Sequence, residues 1–463
     1  MTVHDLSLPM EKGIDGRLKL AVIGRGFSGM MMAIALLRTL SQPFQLCLFD
    51  PQPTVSGGQA LATARSTEIL NSRARDLSVS IGDPKDFTRW LQANAEFRDA
   101  VSAAIPGFGQ IFVPKSTFSD YVYQRFSEAL SQRTDVSVRM SNDDVAGLER
   151  AEAGFILRFD DGRCEAFDEV MLATGYGIAG PKNPGGFANR LAEQPSENCR
   201  HIVVMGSGLR AVDQVLQLRD GGFAGRITLL SRRGFLPQPH TRLPADATFP
   251  TQPMPSSLRE ILRYVRQACA EAEENGWSWQ AAMNGLRKRA RALWSSLPPS
   301  EKRQFNRHLR AIYDAHRNRL PADVHARLER ELGGGSTVLL KATALMRVPG
   351  GLKLKRADQA EAEIFPADEV IDCRCLAPDL SAPLISGLLA SGLAVPDELA
   401  LGLSVNPAGE LLDDVGRSQG LFAIGPLGLG SLPDIDLVPE IVNQTYAAAE
   451  RLEHRTRPQR RAG

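Results

Sequence analysis

The sequence predicts an α/β protein made of two related parallel-sheet units, the second carrying a helical insertion. Three observations lead there. A strand, glycine turn and helix occur in succession twice; an Asp-Glu-Val that introduces a buried strand at Asp168 returns at Asp368; and a helix-periodic stretch in the second half has no counterpart in the first. At 463 residues the chain is too long for one simple core, so two or three domains are expected.

The first pattern is LKLAVIGRGFSGMMMAIALLRTL, residues 18–40. An apolar run suited to a buried parallel strand meets Gly24-x-Gly26-x-x-Gly29 and then an apolar helix. Gly24 permits the tight turn, Gly26 lets the backbone approach a pyrophosphate, and Gly29 lets helix and strand pack. The helix N-terminus offers free N–H groups to the anion. Gly24, Gly26, Phe27, Ser28 and Gly29 are therefore the expected cofactor contacts. FQLCLFD follows as a second strand ending in Asp50, where a carboxylate can bond a ribose 2′-hydroxyl.

RHIVVMGSGLRAVDQVLQL, residues 200–218, repeats the arrangement. Gly206, Ser207, Gly208 and Leu209 occupy the turn, and Ala211 takes the third small position. Its second strand, GRITLLSRRG, ends at Arg232. Asp50 lies 26 residues after Gly24, and Arg232 lies 26 residues after Gly206. One structural position thus carries a carboxylate in the first unit and the guanidinium groups of Arg232 and Arg233 in the second. A carboxylate repels a 2′-phosphate, whereas a guanidinium pairs with one. The first Rossmann-like unit suits FAD or NAD and the second NADPH; the alternative for the two arginines is a solvated turn.

The two Asp-Glu-Val strands extend the repeat. GFILRFDDGRCEAFDEVMLATGY and GGLKLKRADQAEAEIFPADEVIDCRCL each read as a hairpin followed by a buried strand. The first strand ends in Ala173-Thr174-Gly175, small residues that let the backbone cross close to a dinucleotide. Cys373, Arg374 and Cys375 fall on those three positions in the second copy. Alternate strand residues face the same way, and one intervening residue is poor disulfide geometry, so the cysteines are expected to be packing residues.

Composition removes several function classes. Lys and Arg total 54 against 53 Asp and Glu, a balance that offers no basic surface for nucleic acid or an anionic membrane. No stretch of about 18 uninterrupted apolar residues occurs, and the N-terminal residues lack a signal-peptide core. Six scattered cysteines fit a reduced compartment, and a soluble cytoplasmic protein without a membrane partner is expected. The seven histidines show no H-E-x-x-H or paired spacing, so no metal is expected. A homo-oligomer is left open.

Two nucleotide folds in this order, with an ATG strand between them, resemble the two-dinucleotide-binding-domain flavoproteins. The motifs IGRGFSG, LNSRARDLSV, DFTRWL, FVPKSTFSDYV, VVMGSGLRAVD, SRRGFLPQPH, RHLRAIYDAHRNR and LFAIGPLGLGSL resemble the bacterial FAD/NAD(P)-binding protein family over nearly the whole chain. The resemblance implies FAD in the first unit and NADPH in the second. It also places Asn71, Val145, Thr174 and Gly175 among the flavin contacts. DEVMLATGY further resembles the D-x-x-x-L-A-T-G-Y signature of class B flavin-dependent N-hydroxylating monooxygenases, with Asp168, Leu172 and Tyr176 in place. The chain departs from that pattern in two ways. The following segment supplies Pro181 without a His-Pro, and the signature precedes the second nucleotide fold. SLPDIDLVPE also stands where relatives carry Trp-Glu, leaving Asp434 or Asp436 as the nearby acid.

The helical insertion spans about 255–332 and is expected to form a lid or substrate wall. Ser257 to Glu260 reads as a capping box opening its first helix. In the third helix, read as one element between the prolines at 299 and 321, Arg307, Arg310, Asp314 and Arg317 share a face, beside Tyr313 and His316. That stripe is either a solvated ion-paired surface or a substrate-carboxylate contact made by Arg310, His316 or Arg317. His240 is a further candidate. The last segment reads as strand, glycine loop and helix, and the resemblance puts Gly425 and the backbone from Asp434 to Leu437 beside the flavin.

These readings assign FAD-binding segments 15–190 and 379–455 around an NADPH-binding domain at 196–378. The expected activity is a monooxygenase: hydride passes from NADPH to FAD, and a C4a-hydroperoxyflavin formed with O2 oxygenates an amine or amino-acid nitrogen of a small substrate. Because the cofactor carries the difficult chemistry, no acid pair or triad is required. The alternatives are an NADPH-dependent flavoprotein reductase and a non-catalytic FAD-binding regulatory protein. A disulfide reductase would need a C-x-x-C that the sequence lacks.

Overall fold

The computed structural model describes residues 17–52, 69–100, 107–177, 195–241, 255–374 and 377–456. Cys375 and Pro181 lie outside them. The chain divides into two compact units, Met1–Ile178 with Ala377–Gly463, and Ala179–Leu376.

The first unit opens with β1 (Leu18–Ile23), α1 (Phe27–Thr39) and β2 (Phe44–Phe49). Next come α2 (Asp86–Ala93), α3 (Lys115–Ser131), β3 (Ser137–Ser141), the antiparallel strands β4 (Val145–Arg150), β5 (Phe155–Phe159) and β6 (Cys164–Phe167), and β7 (Glu169–Leu172). Phe27 through Leu37 of α1 are all buried. A helix apolar all round demands cover on every side, and each fully buried Leu, Ile or Met side chain contributes about 1.5–3 kcal/mol. The DFTRWL and FVPKSTFSDYV motifs are joined by one buried acid. Asp86 accepts the Tyr121 hydroxyl at 2.7 Å and a forked pair from Arg125 at 3.0 and 2.9 Å. Burial works against its charge, yet the bonds from Arg125 and Tyr121 hold its carboxyl below the usual range.

The second unit carries β8 (His201–Met205), α4 (Leu209–Asp220) and β9 (Arg226–Ser231), then five insert helices: α5 (Leu258–Glu274), α6 (Gln280–Ser296), α7 (Pro299–His308), α8 (Arg310–Arg317) and α9 (Ala322–Gly333). β10 (Thr337–Val348), β11 (Gly351–Arg356), β12 (Glu363–Pro366) and β13 (Glu369–Asp372) complete it. The sheet order is β12-β11-β10-β9-β8-β13, parallel from β13 to β10 and antiparallel beyond. The Ser257 hydroxyl accepts the Glu260 N–H as the capping box requires. The Glu260 carboxylate, however, reaches the N–H of Ser256 at 2.8 Å, one residue further back than the pattern implies. The third predicted helix is two, broken at Leu309, where φ widens to −112°.

The chain then returns to the first unit with α10 (Pro383–Ala390), β14 (Glu410–Leu412), β15 (Ser418–Ala423) and α11 (Val438–Thr456). Its main sheet runs β14-β15-β7-β1-β2-β3, parallel except at β14. The strand order β7-β1-β2-β3 thus matches β13-β8-β9-β10, and a hairpin precedes β7 and β13 alike. No described helix is long and apolar enough to cross a membrane.

Candidate dinucleotide sites

In the first unit Gly24 adopts φ +102°, and its N–H donates to the Phe49 carbonyl at 2.7 Å. A Cβ there would stand 2.4 Å from the Ala173 carbonyl oxygen, so only glycine lets the end of β7 cross the turn. A Cβ on Gly29 would stand 1.9 Å from the Gly24 oxygen, which gives that glycine its packing role. Gly26 precedes α1 and supplies no side-chain cap, leaving first-turn N–H groups to an anion. Phe27 and Ser28 are buried in that turn. Gly425, at φ +80°, lies against it: an added Cβ would come 2.4 Å from the Ser28 Oγ. The glycine loop of the C-terminal segment therefore closes on the N-terminal turn.

Asp50 stands at the end of β2 with both oxygens fixed. The Arg25 N–H donates to its Oδ2 at 2.9 Å and the Gln52 N–H to its Oδ1 at 3.0 Å. Sequence reasoning missed Arg25. Its buried guanidinium bonds the carbonyls of Asp50 and Gln52 at 3.0 and 2.6 Å and the Asn142 side chain at 2.5 Å, tying together the ends of β1, β2 and β3. An arginine inside a glycine turn, where burial is costly, was the available signal. Val145 opens β4 and packs with Phe49, Phe159 and Phe167. Asn71 is half-buried, one residue beyond Leu70, whose N–H bonds the Val113 carbonyl. At the end of β7 the Thr174 hydroxyl is buried without a hydrogen-bond partner among the described residues, and Gly175 turns at φ +67°. A buried hydroxyl of that kind costs free energy unless something bonds it, and a dinucleotide at this strand end would do so. Asp434 takes a left-handed φ of +59° just before α11 and is buried.

The second unit repeats the main-chain scheme. Gly206 has φ +118°, its N–H donates to the Leu230 carbonyl at 2.8 Å, and an added Cβ would lie 2.8 Å from the Cys373 oxygen. Cys373 donates its N–H to Met205 at 2.8 Å, as Ala173 does to Ile23 at 2.8 Å. The Asp368 carboxylate accepts N–H groups of Arg200 and His201 at 2.8 Å each, and that of Asp168 accepts from Lys19 at 2.7 Å. Cys373 is buried and free, and burial pushes its thiol up to about 12. It is a protonated packing group. Gly208 precedes α4 without a side-chain cap, and a Cβ there would meet nothing within 4 Å, so the turn at Gly208 and Leu209 is open to a ligand.

Arg232 and Arg233 both follow β9 but face different tasks. Arg232 is exposed, with no hydrogen bond or ion pair to another described residue. Arg233 donates through both terminal nitrogens to the carbonyls of Arg307 and His308, the last two residues of α7. Among the α8 candidates, Arg310 pairs with Asp314 at 3.0 Å and Arg317 stands 3.9 Å from the same carboxylate. The Arg317 guanidinium lies over the Tyr313 ring, and His316 packs edge-on against Trp279. Arg307, on α7, is outside this group. His240 joins the neighbourhood through the backbone, its N–H donating to Leu320 at 2.8 Å. Gln280 was also missed. Its buried amide accepts from Thr241 N–H at 3.1 Å and Arg319 at 2.6 Å and donates to the Pro239 carbonyl at 2.7 Å, holding the His240 segment to α6.

No curated protein matches this sequence. Solved structures similar to it include an ornithine hydroxylase from Pseudomonas aeruginosa in reduced form, 15% identical, covering 95% of this chain and 99% of that one at TM-score 0.60. An L-lysine 6-monooxygenase from Pseudomonas syringae is 16% identical, over 93% of this chain and 99% of that one, at TM-score 0.58. A bacillithiol disulfide reductase from Bacillus cereus is 15% identical, over 95% and 99%, at TM-score 0.53. At these identities the likeness is one of fold, and it shows the two-unit α/β architecture. The family described as FAD-NAD(P)-binding matches residues 21–177. The residues matched include Gly24, Gly29, Asp50 and Thr174, placed as above in the first nucleotide fold.

Proposed function

We propose that the protein is an FAD- and NADPH-dependent monooxygenase that oxygenates an amine or amino-acid nitrogen of a small substrate. The observation that carries this reading is the end of β7. There the D-x-x-x-L-A-T-G-Y residues set a backbone crossing against Gly24 and leave the Thr174 hydroxyl buried, with no partner among the described residues. The fold shared with the ornithine and lysine enzymes supports it.

When bound, the flavin supplies the redox chemistry that joins NADPH, O2 and the substrate nitrogen. The chain's residues position and shield. The uncapped start of α1 binds the pyrophosphate of FAD, Asp50 accepts a ribose hydroxyl, and Thr174 bonds the cofactor at the strand end. Gly425 and the Asp434–Leu437 backbone cover the flavin from the C-terminal segment. In the second unit the turn from Gly206 to Leu209 takes the pyrophosphate of NADPH. His240, Arg310, Tyr313, His316 and Arg317 are the substrate contacts, with the arginines matched to a carboxylate.

The test is to purify the chain with FAD and follow NADPH oxidation in air against a panel of small amines and amino acids, with products read by mass spectrometry. Oxygenated product in step with NADPH consumption is expected. NADPH consumption by an electron acceptor with no oxygenated product assigns a reductase, the reading that the fold shared with the bacillithiol disulfide reductase supports. A colourless protein that takes up no FAD overturns both.

A further inference from the structure

Tandem arginines at the end of the second nucleotide strand look equivalent in sequence, but their surroundings differ. Arg233 is spent on protein: its guanidinium forks onto the Arg307 and His308 carbonyls, where α7 ends and the backbone breaks toward α8. Terminal carbonyls of a helix lack intrahelical donors and carry the negative end of its dipole, so a cation there both caps and compensates. The loop that holds the pair is itself built. The Ser207 and Ser231 hydroxyls stand 2.9 Å apart, Ser207 donates to the Phe235 carbonyl at 2.6 Å, and Ser231 accepts the Gly234 N–H at 3.2 Å. Farther along, the Gln238 N–H bonds Ala315 at 3.1 Å, Leu320 bonds Gln238 at 2.9 Å, and His240 bonds Leu320 at 2.8 Å. The segment from Ser231 to His240 is therefore laced at one end to the glycine turn and along its length to α7 and α8.

We propose that the two arginines divide the work. Arg232 alone discriminates the 2′-phosphate, whereas Arg233 is a positioning residue that locks the nucleotide loop to the insert so that the two behave as one body. The proposal rests on reading the second unit as the NADPH-binding one. It assigns the insert a part in nucleotide recognition: α7 fixes the loop from which Arg232 projects.

Calorimetric titration of the full-length protein with adenosine 2′,5′-bisphosphate and with AMP tests it, alongside backbone amide exchange. The wild type is expected to prefer the bisphosphate. Arg232→Ala is expected to reduce that preference about tenfold to a hundredfold, the range of a lost charge-assisted fork. Arg233→Ala is expected to weaken both ligands about threefold to tenfold with their ratio kept within about twofold. It should also speed amide exchange at 231–235 and at 307–312. Arg233→Lys, which keeps the charge but replaces the planar fork with a compact ammonium, falls between and carries the test if the alanine variant does not fold. Loss of the bisphosphate preference in Arg233→Ala overturns the division of labour, as does unchanged exchange at 307–312 in that variant. A wild type that binds neither ligand, or binds both equally, overturns the NADPH reading and the proposal with it.

Discussion

The ends of β7 and β13 occupy the same place in two sheets and are finished differently. Both cross a positive-φ glycine through a carbonyl, that of Ala173 over Gly24 and that of Cys373 over Gly206. Beyond that carbonyl the first strand offers Thr174, whose hydroxyl has no partner among the described residues. The second offers Arg374, whose guanidinium folds back onto Asp372 at 2.9 and 2.6 Å and whose carbonyl accepts Arg210 at 3.2 Å. One strand end leaves a hydrogen bond to be made and the other satisfies itself. The shared backbone scheme belongs to the fold; the orphaned hydroxyl is the group that the proposed flavin would bond. In the second unit the open groups have moved to Gly208 and Arg232.

The comparison breaks most severely at the third small residue. Gly29→Ala puts a Cβ 1.9 Å from the Gly24 oxygen and is expected to cost about 3 kcal/mol or more and to abolish flavin retention. The mirror change Ala211→Gly should cost only about 1 kcal/mol, the helix-interior penalty. Calorimetric melting and flavin absorbance of the purified proteins read both. Equal losses would mean that the two turns are packed alike.

Thr174→Val keeps the shape and deletes the unpartnered hydroxyl. Flavin affinity is expected to fall about tenfold, while the flavin-free protein keeps or gains about 1 kcal/mol, because a buried orphan is removed. Fluorescence titration with FAD and chemical unfolding separate the effects; a less stable flavin-free protein would show that the hydroxyl serves the fold.

The opposite ends of the same strands differ too. Glu169 opens β7, and burial pushes it up to about 7 although Arg455 donates to it at 2.5 Å, with Asp168 and Glu410 adding to the rise. Between the ordinary Glu value of 4.5 and about 7 the native state holds a proton that the unfolded chain has released. Its contribution is thus fully present below 4.5 and is lost as pH rises through about 7. Glu169→Gln should flatten the fall in melting temperature between about pH 4.5 and 7; Glu369, at the matching position of β13, instead accepts the Ser196 N–H.

Cys373→Ala, which gives β13 the residue β7 has, carries the smallest expected effect. A loss of about 1 kcal/mol from an underfilled site is expected, with turnover intact. Loss of NADPH oxidation would return the thiol to redox chemistry.

Local pattern and spacing determined much of this protein. The periodicity around Gly24 and Gly206 set two strand–turn–helix units, the 26-residue spacing aligned Asp50 with Arg232, and the second Asp-Glu-Val marked the closing strand of the repeat. These are readable because glycine at positive φ and apolar runs on buried strands are constraints each residue meets within its own element. Only the tertiary structure decided which of two adjacent arginines is free, that Arg25 staples three strand ends, that Gln280 holds the His240 segment, and that the helix around RHLRAIYDAHRNR breaks at Leu309. Each depends on a partner tens of residues away in the chain. Hydrogen-bond partners at that range are chosen by packing, which no local pattern encodes.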